Sequence, residues 1–489
     1  MLWQLLVLPL AVASPSQTPF APKHINPLKH LSAISPFFIP NQEPTPLPPT
    51  CEYTRISLLV RHTSIQGNDD EYEDTMEPFI EKIKAMDKNK MPSDGEWAFL
   101  RNWESPISED VLEKVSQRGE DDSTFFGRRL STQYAKLFPP REKSEKTKKK
   151  SKHTVPFKVW SASSERDIVT AKAWIKGAFP AAQAGPHGEG DGKQLQLVSV
   201  PNKAKDWDRS LTPHKACDAF EKQSSLEPAR VWLKTYAPPI RERLSQIIPD
   251  VAVELVDDDI LAMQMLCGYE TISQGWSPFC NLFTDNEWLD GEYYFDVRFH
   301  YMMGYGNHLS PYLGAPWVKT AKHLLDGKDT GDGAGEPHGD EGEVEANKEK
   351  HKLPKPNLPP NATHTQLFHP SFTHRESPAF VATFLNLYNS TYAHPASLSP
   401  PLTYRPPKSE RAWRTSHVVS FLGHVALERF HCGEDGGDYV RAKVNGKQEK
   451  MGGCEDGLEG SCRWETFYKW VDERALRWSG WEEVCAKKD

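Results

Sequence analysis

The chain has 489 residues, of which 38% are hydrophobic and 26% charged, and a formal net charge of −8. That length is too great for one small core and allows two or three domains. The composition is that of a soluble globular protein, and the acidic balance argues against a general nucleic-acid binder without favouring another partner.

Met1 to Ala13 is apolar and ends in Ala11-Val12-Ala13, a small-x-small pattern, so a signal peptide is expected over residues 1–13 with cleavage before Ser14. The run is too short to span a bilayer, and no later stretch reaches transmembrane length. Residues 14–50 are Pro-rich and read as an N-terminal arm, within which His30 to Phe38 is apolar enough to dock. After Cys51, the run Thr54 to Val60 reads as a short, largely buried strand. It delivers Arg61 and His62 at its carboxyl end, where open α/β sheets place their ligands. Gly67 to Asp70 is a turn. Thr75 to Met86 has helical spacing with Phe79, Ile80 and Ile83 on one face, and Glu96 to Trp103 and Asp110 to Leu137 are mainly helical.

Arg141 to Lys152 holds seven Lys or Arg against two Glu and reads as a solvated loop. Phe157 to Ser161 is a second strand, running into Ser163-Ser164-Glu165-Arg166 and a helix from Asp167 to Phe179. Leu211 to Ile248 is expected to be helical in large part, and Asp250 to Leu255 to open another helix or an edge strand. Asp326 to Glu345 carries eight carboxylates against one Lys, and disorder is expected over residues 326–350. Its Asp and Gly residues lack the spacing of a calcium loop. Thr365 to Phe368 begins a third strand with His374-Arg375-Glu376 at its end, and Ser377-Pro378 then starts a helix. Val418 to Cys432 is extended, and the tail from Gly433 to Asp489 is rich in Cys and Trp. The eight cysteines fit an oxidising compartment, which with the leader gives a secreted, extracellular protein. Asn361-Ala362-Thr363 and Asn389-Ser390-Thr391 are glycosylation sequons.

Three of these segments share one plan: strand, polar residues, then turn or helix. Arg61-His62, Ser163 to Arg166 and His374 to Glu376 together supply two histidines, several guanidinium groups and a carboxylate. Any one of them alone reads more readily as a surface ion pair; three at strand ends favour a site. Guanidinium forks bind a phosphate bidentately. One histidine can attack phosphorus while a second stabilises the equatorial oxygens. A carboxylic acid can protonate the leaving alcohol.

With those residues in place, the chain resembles a histidine acid phosphatase of the secreted fungal branch that includes phytases. The likeness is collinear from Asn26 to Cys485. It includes Ser35-Pro36-Phe37-Phe38, Trp97-Ala98-Phe99-Leu100, Ser277 to Thr284, Gly306 to Pro311 and Phe372-Thr373-His374. The resemblance implies His62 as nucleophile through a phosphohistidine, Arg61 and Arg166 as phosphate-binding arginines, and His374 as the second active-site histidine. Glu376 inherits the proton-donor role from the inositol-polyphosphate branch, where His-x-Glu stands; Asp69 and Asp70 are runner-up acids. The implied substrate is a small-molecule phosphate monoester, inositol phosphates among the candidates, with no metal or organic cofactor. The implied disulfides are Cys51–Cys432, Cys217–Cys485, Cys267–Cys280 and Cys454–Cys462; spacing alone leaves 105 pairings open.

The fold implied is an α/β, phosphoglycerate-mutase-like sandwich with a central, mostly parallel sheet from residues 51–179 and 356–489. A mainly helical insertion, residues 180–355, roofs the site. Two departures from the family stand out. The signature Arg-His-Gly-x-Arg-x-Pro reads Arg61-His62-Thr63-Ser64-Ile65-Gln66-Gly67, with Ile65 where a second arginine belongs. Arg375, Arg55 or a backbone nest at Gly67-Asn68 are the candidates to replace it. The His-Asp motif reads His374-Arg375-Glu376. In addition, the lysine of the phytate-binding segment aligns near Phe299-His300-Tyr301, with Arg298 adjacent. The alternative to an enzyme is a non-catalytic phosphate-ester-binding protein of the same fold; a phosphoglycerate-mutase-like transferase is a weaker third reading.

Overall fold

The computed structural model describes residues 25–38, 46–139, 157–180, 195–202, 209–247, 254–327, 366–389, 411–433 and 436–487. The leader, the basic block, the acidic loop beyond Gly327 and Asn361 lie outside them. Eight strands form one sheet: β1 (Cys51–Arg61), β2 (Phe157–Ala162), β3 (Leu195–Val200), β4 (Phe368–Thr373), β5 (His424–Cys432), β6 (Gly437–Val444), β7 (Lys447–Glu449) and β8 (Cys462–Arg463). Their order is β3-β2-β4-β1-β5-β6-β7, with β8 paired to β6. The half from β3 to β1 is parallel, and from β5 onward each strand pairs antiparallel to its neighbour. The α/β class holds, but the sheet is mixed rather than mostly parallel: its parallel pairings lie in the half that carries the three motifs, and the antiparallel ones outnumber them.

The helices are α1 (Asp69–Glu71), α2 (Glu77–Lys84), α3 (Gln117–Gln133), α4 (Glu165–Ala178), α5 (Leu226–Ile247), α6 (Asp257–Gln274), α7 (Asp285–Met303), α8 (Ser310–Asp326), α9 (Glu376–Phe384), α10 (Thr415–Val419), α11 (Trp464–Arg477) and α12 (Trp481–Cys485). Strand β1 is buried on both faces, which is why its sequence is a continuous apolar run. Alternate residues Ile56, Leu58 and Val60 face the core that includes Phe126 of α3 and Trp174 of α4, whereas Leu59 faces the larger core on the other side. Helices α8 and α9 pack against β1. Helices α3 and α4 cross backbone to backbone. A Cβ at Gly127 would collide with the Trp174 carbonyl and one at Gly177 with that of Thr124, so only glycine permits the approach. That crossing fixes α4, whose first turn carries Arg166.

Three expectations change. Strand β3 pairs in parallel with β2, so the sheet extends into the stretch expected to be mainly helical, where the long helices begin with α5. Residues 209–225 are turns and short 3-10 segments rather than helix, because Pro213 disfavours helical backbone at Thr212, whose φ is −131° and ψ 57°. Helix α9 opens at Glu376 without a side-chain cap, and Ser377 instead donates its hydroxyl to the Leu211 carbonyl at 2.6 Å. The docking segment of the arm behaves as expected: Leu31, Ala33 and Ile34 are buried, and His30 meets Glu292 of α7 at 3.1 Å. All four implied disulfides are formed. Among the described residues, no helix is long and apolar enough to cross a membrane.

Candidate functional site

The carboxyl ends of β1, β2 and β4 converge as the sequence pattern requires. Directly after β1, the His62 backbone is pinned on both sides: its N–H donates to the Thr373 carbonyl at 2.8 Å and its carbonyl accepts from Leu422 N at 3.2 Å. The side chain is 3% exposed. Its Nδ1 lies 2.9 Å from the Thr63 carbonyl. A carbonyl only accepts, so Nδ1 carries the proton and Nε2 keeps its lone pair. Burial first, then Arg61 and Arg166, holds the imidazole well below its usual pKa, which favours the neutral ring.

Arg61 is buried against the docked arm. Its Nη1 donates to the carbonyls of Ala33 (2.5 Å) and Val419 (2.7 Å), and the guanidinium lies 4.2 Å from the Phe421 ring centroid. Burial, followed by the charge of Arg375, pushes it down to about 9, which leaves it a cation at acidic and neutral pH. Its Nε donates to nothing. Arg166 repeats that pattern: Nη1 pairs with Glu113 while Nε is buried without a partner. Among the described residues, each arginine is thus held through Nη1 while its Nε has no hydrogen-bond partner.

His374 follows β4 with its Nδ1 2.7 Å from Oδ2 of the fully buried Asp167 and its Nε2 3.4 Å from Ser164 Oγ. The contact with Asp167 is an electrostatic one, since neither carboxylate oxygen nor His374 Nδ1 makes a hydrogen bond among the described residues. Ser164 also accepts from Asn202 Nδ2 at 2.7 Å, which brings the end of β3 into the site. Glu376, in the first turn of α9, is buried between two neighbours. Its Oε1 lies 3.4 Å from Arg375 Nε and its Oε2 3.7 Å from His214 Nε2. Burial opposes ionisation, but His214, Arg375, Lys222 and His374 together hold the carboxyl well below the usual range.

The structure therefore gathers His62, Arg61, Arg166, His374 and Glu376. Ile65 is 2% exposed and bridges to Val115, so no cation stands at that position. Of the candidate replacements, Arg375 lies close enough to Arg61 to lower its basicity and also donates to Glu71 Oε1 at 2.7 Å. Arg55 does not reach the site, since it donates to the Gln366 carbonyl near Arg429 and Asp326. The Gly67-Asn68 turn already holds an anion, the carboxylate of Glu113, through Asn68 Nδ2 (2.7 Å) and Asp69 N (3.3 Å). Glu113 adopts a left-handed φ of 60°, a local cost accepted where its carboxylate ties that turn to Arg166. Asp69 and Asp70 begin α1, Asp70 paired with Lys222 at 2.8 Å. Arg298 is buried near Asp70 and Glu71. Asn389 donates to Asn386 Oδ1 at 2.6 Å.

Sequence reasoning missed Asp167, His214, Glu113 and Asn202. Asp167 carried a signal, a carboxylate one residue after the arginine in a helix's first turn; the others sit in turns with no pattern.

The histidine phosphatase superfamily (branch 2) profile matches residues 58–445. Phytase A of Aspergillus fumigatus is 26% identical over 444 residues, covering 89% of this chain and 86% of its own. The acid phosphatase of Schizosaccharomyces pombe is 24% identical over 438 residues, covering 88% and 83%. Among solved structures, the phytase from D. castellii aligns with a TM-score of 0.72 at 18% identity, covering 98% of this chain and 91% of that one. The multiple inositol polyphosphate phosphatase of Bifidobacterium longum, in complex with inositol hexasulfate, aligns at 0.59 and 13% identity, covering 89% and 96%. Both structural likenesses speak to the fold.

Proposed function

Since the chain belongs to the histidine phosphatase superfamily, branch 2, we propose that it hydrolyses phosphate monoesters through a covalent phosphohistidine on His62. The observation that carries this reading is the His62 tautomer: Nδ1 is committed to the Thr63 carbonyl, leaving Nε2 as a neutral nucleophile beside Arg61 and Arg166. In the first step Nε2 attacks phosphorus, the ester P–O bond breaks, and Glu376 gives the leaving oxygen its proton. Arg61, Arg166 and His374 carry the charge on the equatorial oxygens. Water then attacks phosphorus, Glu376 takes its proton, the bond from phosphorus to His62 Nε2 breaks, and phosphate departs. The names of the relatives, phytases and an acid phosphatase, make inositol phosphates a substrate class to try first. Four disulfides support a secreted, extracellular protein.

The test is phosphate release by the purified protein from an aryl phosphate and from phytate at acidic pH, with acid-quench trapping of the phosphoenzyme. His62→Ala is expected to lose both turnover and the trapped species. Equal release by wild type and variant rejects the mechanism. Ile65 motivates a second reading, a non-catalytic phosphate-ester-binding protein. It predicts affinity for a phosphate analogue with no turnover on a broad phosphoester panel.

A further inference from the structure

We propose that His214 is the proton relay of the site, a positioning residue that loads Glu376 with the proton it gives to the leaving group. The proposal rests on the phosphomonoesterase reading above and adds a residue with no part in any motif.

His214 sits in the 3-10 turn Pro213–Ala216 and is fixed from three directions. Before it, the Leu211 carbonyl accepts hydrogen bonds from Ser377 Oγ at 2.6 Å and from Thr373 Oγ1, which latches the loop onto the end of β4 and the start of α9. After it, Cys217 is bonded to Cys485. Around it, the rings of Phe220, Phe380 and His374 lie with centroids 5.5, 6.0 and 5.8 Å away. A side chain held this firmly is placed, and what it is placed against is Glu376: Nε2 stands 3.7 Å from Oε2, while Nδ1 is buried with no hydrogen-bond partner.

The chemistry of the neighbours selects the role. Glu376 meets Arg375 on one oxygen and His214 on the other. An arginine does not surrender its proton in a protein, so it can stabilise the Glu376 carboxylate but never reload it. His214 is the contact that can do both. The charged and titratable groups facing His214 are Glu376 on α9, His374 at the end of β4, the adjoining Lys215, and Lys222 from the loop that follows. With no ligand bound, burial keeps His214 neutral and Glu376 ionised. A phosphate ester adds negative charge beside both groups, which favours uptake of one proton by the pair. That proton passes from His214 Nε2 to Glu376, and from Glu376 to the ester oxygen as the P–O bond breaks. In the second half-reaction the proton released by the attacking water returns along the same path.

A relay matters only when the leaving group needs a proton. The experiment compares kcat/KM for 4-nitrophenyl phosphate, whose phenolate departs unaided, with that for an alkyl phosphate, whose alkoxide does not. Rates are expressed per His62 site titrated in the phosphoenzyme burst, so any loss of folded protein cancels. His214→Gln is expected to lower the alkyl-to-aryl ratio about 30-fold, a fraction of what a general acid contributes. In a Glu376→Gln background the same substitution is expected to leave the ratio unchanged, since there is no acid left to load. An unchanged ratio in His214→Gln, or an equal further drop in the Glu376→Gln background, overturns the relay. Neither result touches the nucleophile, whereas absence of turnover in wild type on both esters removes the phosphatase reading itself.

Discussion

Both histidines have Nδ1 set against an oxygen: that of His62 is hydrogen-bonded to the Thr63 carbonyl, and that of His374 lies against the Asp167 carboxylate. The two arrangements differ in charge. A neutral carbonyl stands beside His62, whereas the buried Asp167 carboxylate lies 2.7 Å from His374 Nδ1. Asp167→Asn is therefore expected to reduce kcat on 4-nitrophenyl phosphate about 10- to 100-fold with the melting temperature little changed; a drop confined to KM would show that Asp167 acts on binding alone. Arg61, His62, Arg166, His374 and Glu376 were legible in the sequence because each stands where an apolar run stops, and the family likeness gave them roles. His214 was not, and Asp167 was visible only as a carboxylate in the first turn of a helix. Their meaning comes from contacts with His374 and Glu376 across more than 150 residues of chain, and no local pattern encodes such a contact. Ile65 was legible as a departure, but only the Val115 bridge shows that the position is filled by packing.

Elements were legible in proportion to their periodicity. The buried run of β1 and the core face of α2 followed from apolar spacing, whereas β3 and the 209–225 loop, both short of regular pattern, did not. Helix α6 shows how burial of one residue in a helix reaches the behaviour of the whole fold. Glu270 is fully buried and accepts hydrogen bonds from Trp103 Nε1 at 2.8 Å and Ser277 Oγ at 2.6 Å. Burial pushes its carboxyl from 4.5 up to about 7, against the pull of those two donors. Between those values the folded chain keeps a proton that the unfolded chain has released, so stability falls as pH rises through that window. The loss is complete above pH 7 and amounts to about 3 kcal/mol. Glu270→Gln, which cannot ionise, is expected to flatten this part of the profile. Melting temperatures at pH 4.5 and 7.5 check it: the wild type should lose more than the variant, and parallel slopes would reject the assignment.

At the scale of the molecule, the sheet is sewn together by distant partners. β1 pairs with β4 on one side and β5 on the other, and Cys51 is bonded to Cys432 across a separation of 381 residues. Replacing both cysteines by Ser is expected to cost about 4 kcal/mol, read as a lowered denaturant midpoint under oxidising conditions. A midpoint unchanged would show that strand pairing alone holds the ends. The pairing order was not readable in the sequence, because neither hydrophobicity nor spacing says which strand lies beside which. This arrangement also sets a timetable for biosynthesis. Residue 61 leaves the ribosome 307 residues before the first residue of β4. At roughly 5 to 20 residues per second, that is about 15 to 60 seconds during which β1 has neither neighbour. Throughout that interval the nascent chain carries Arg61 and His62 with none of their partners from β4 and β5 around them, and an apolar strand with two open edges. A chain that stops short of residue 432 contains every motif described here and still lacks the strand and the bridge that close the sheet beside His62.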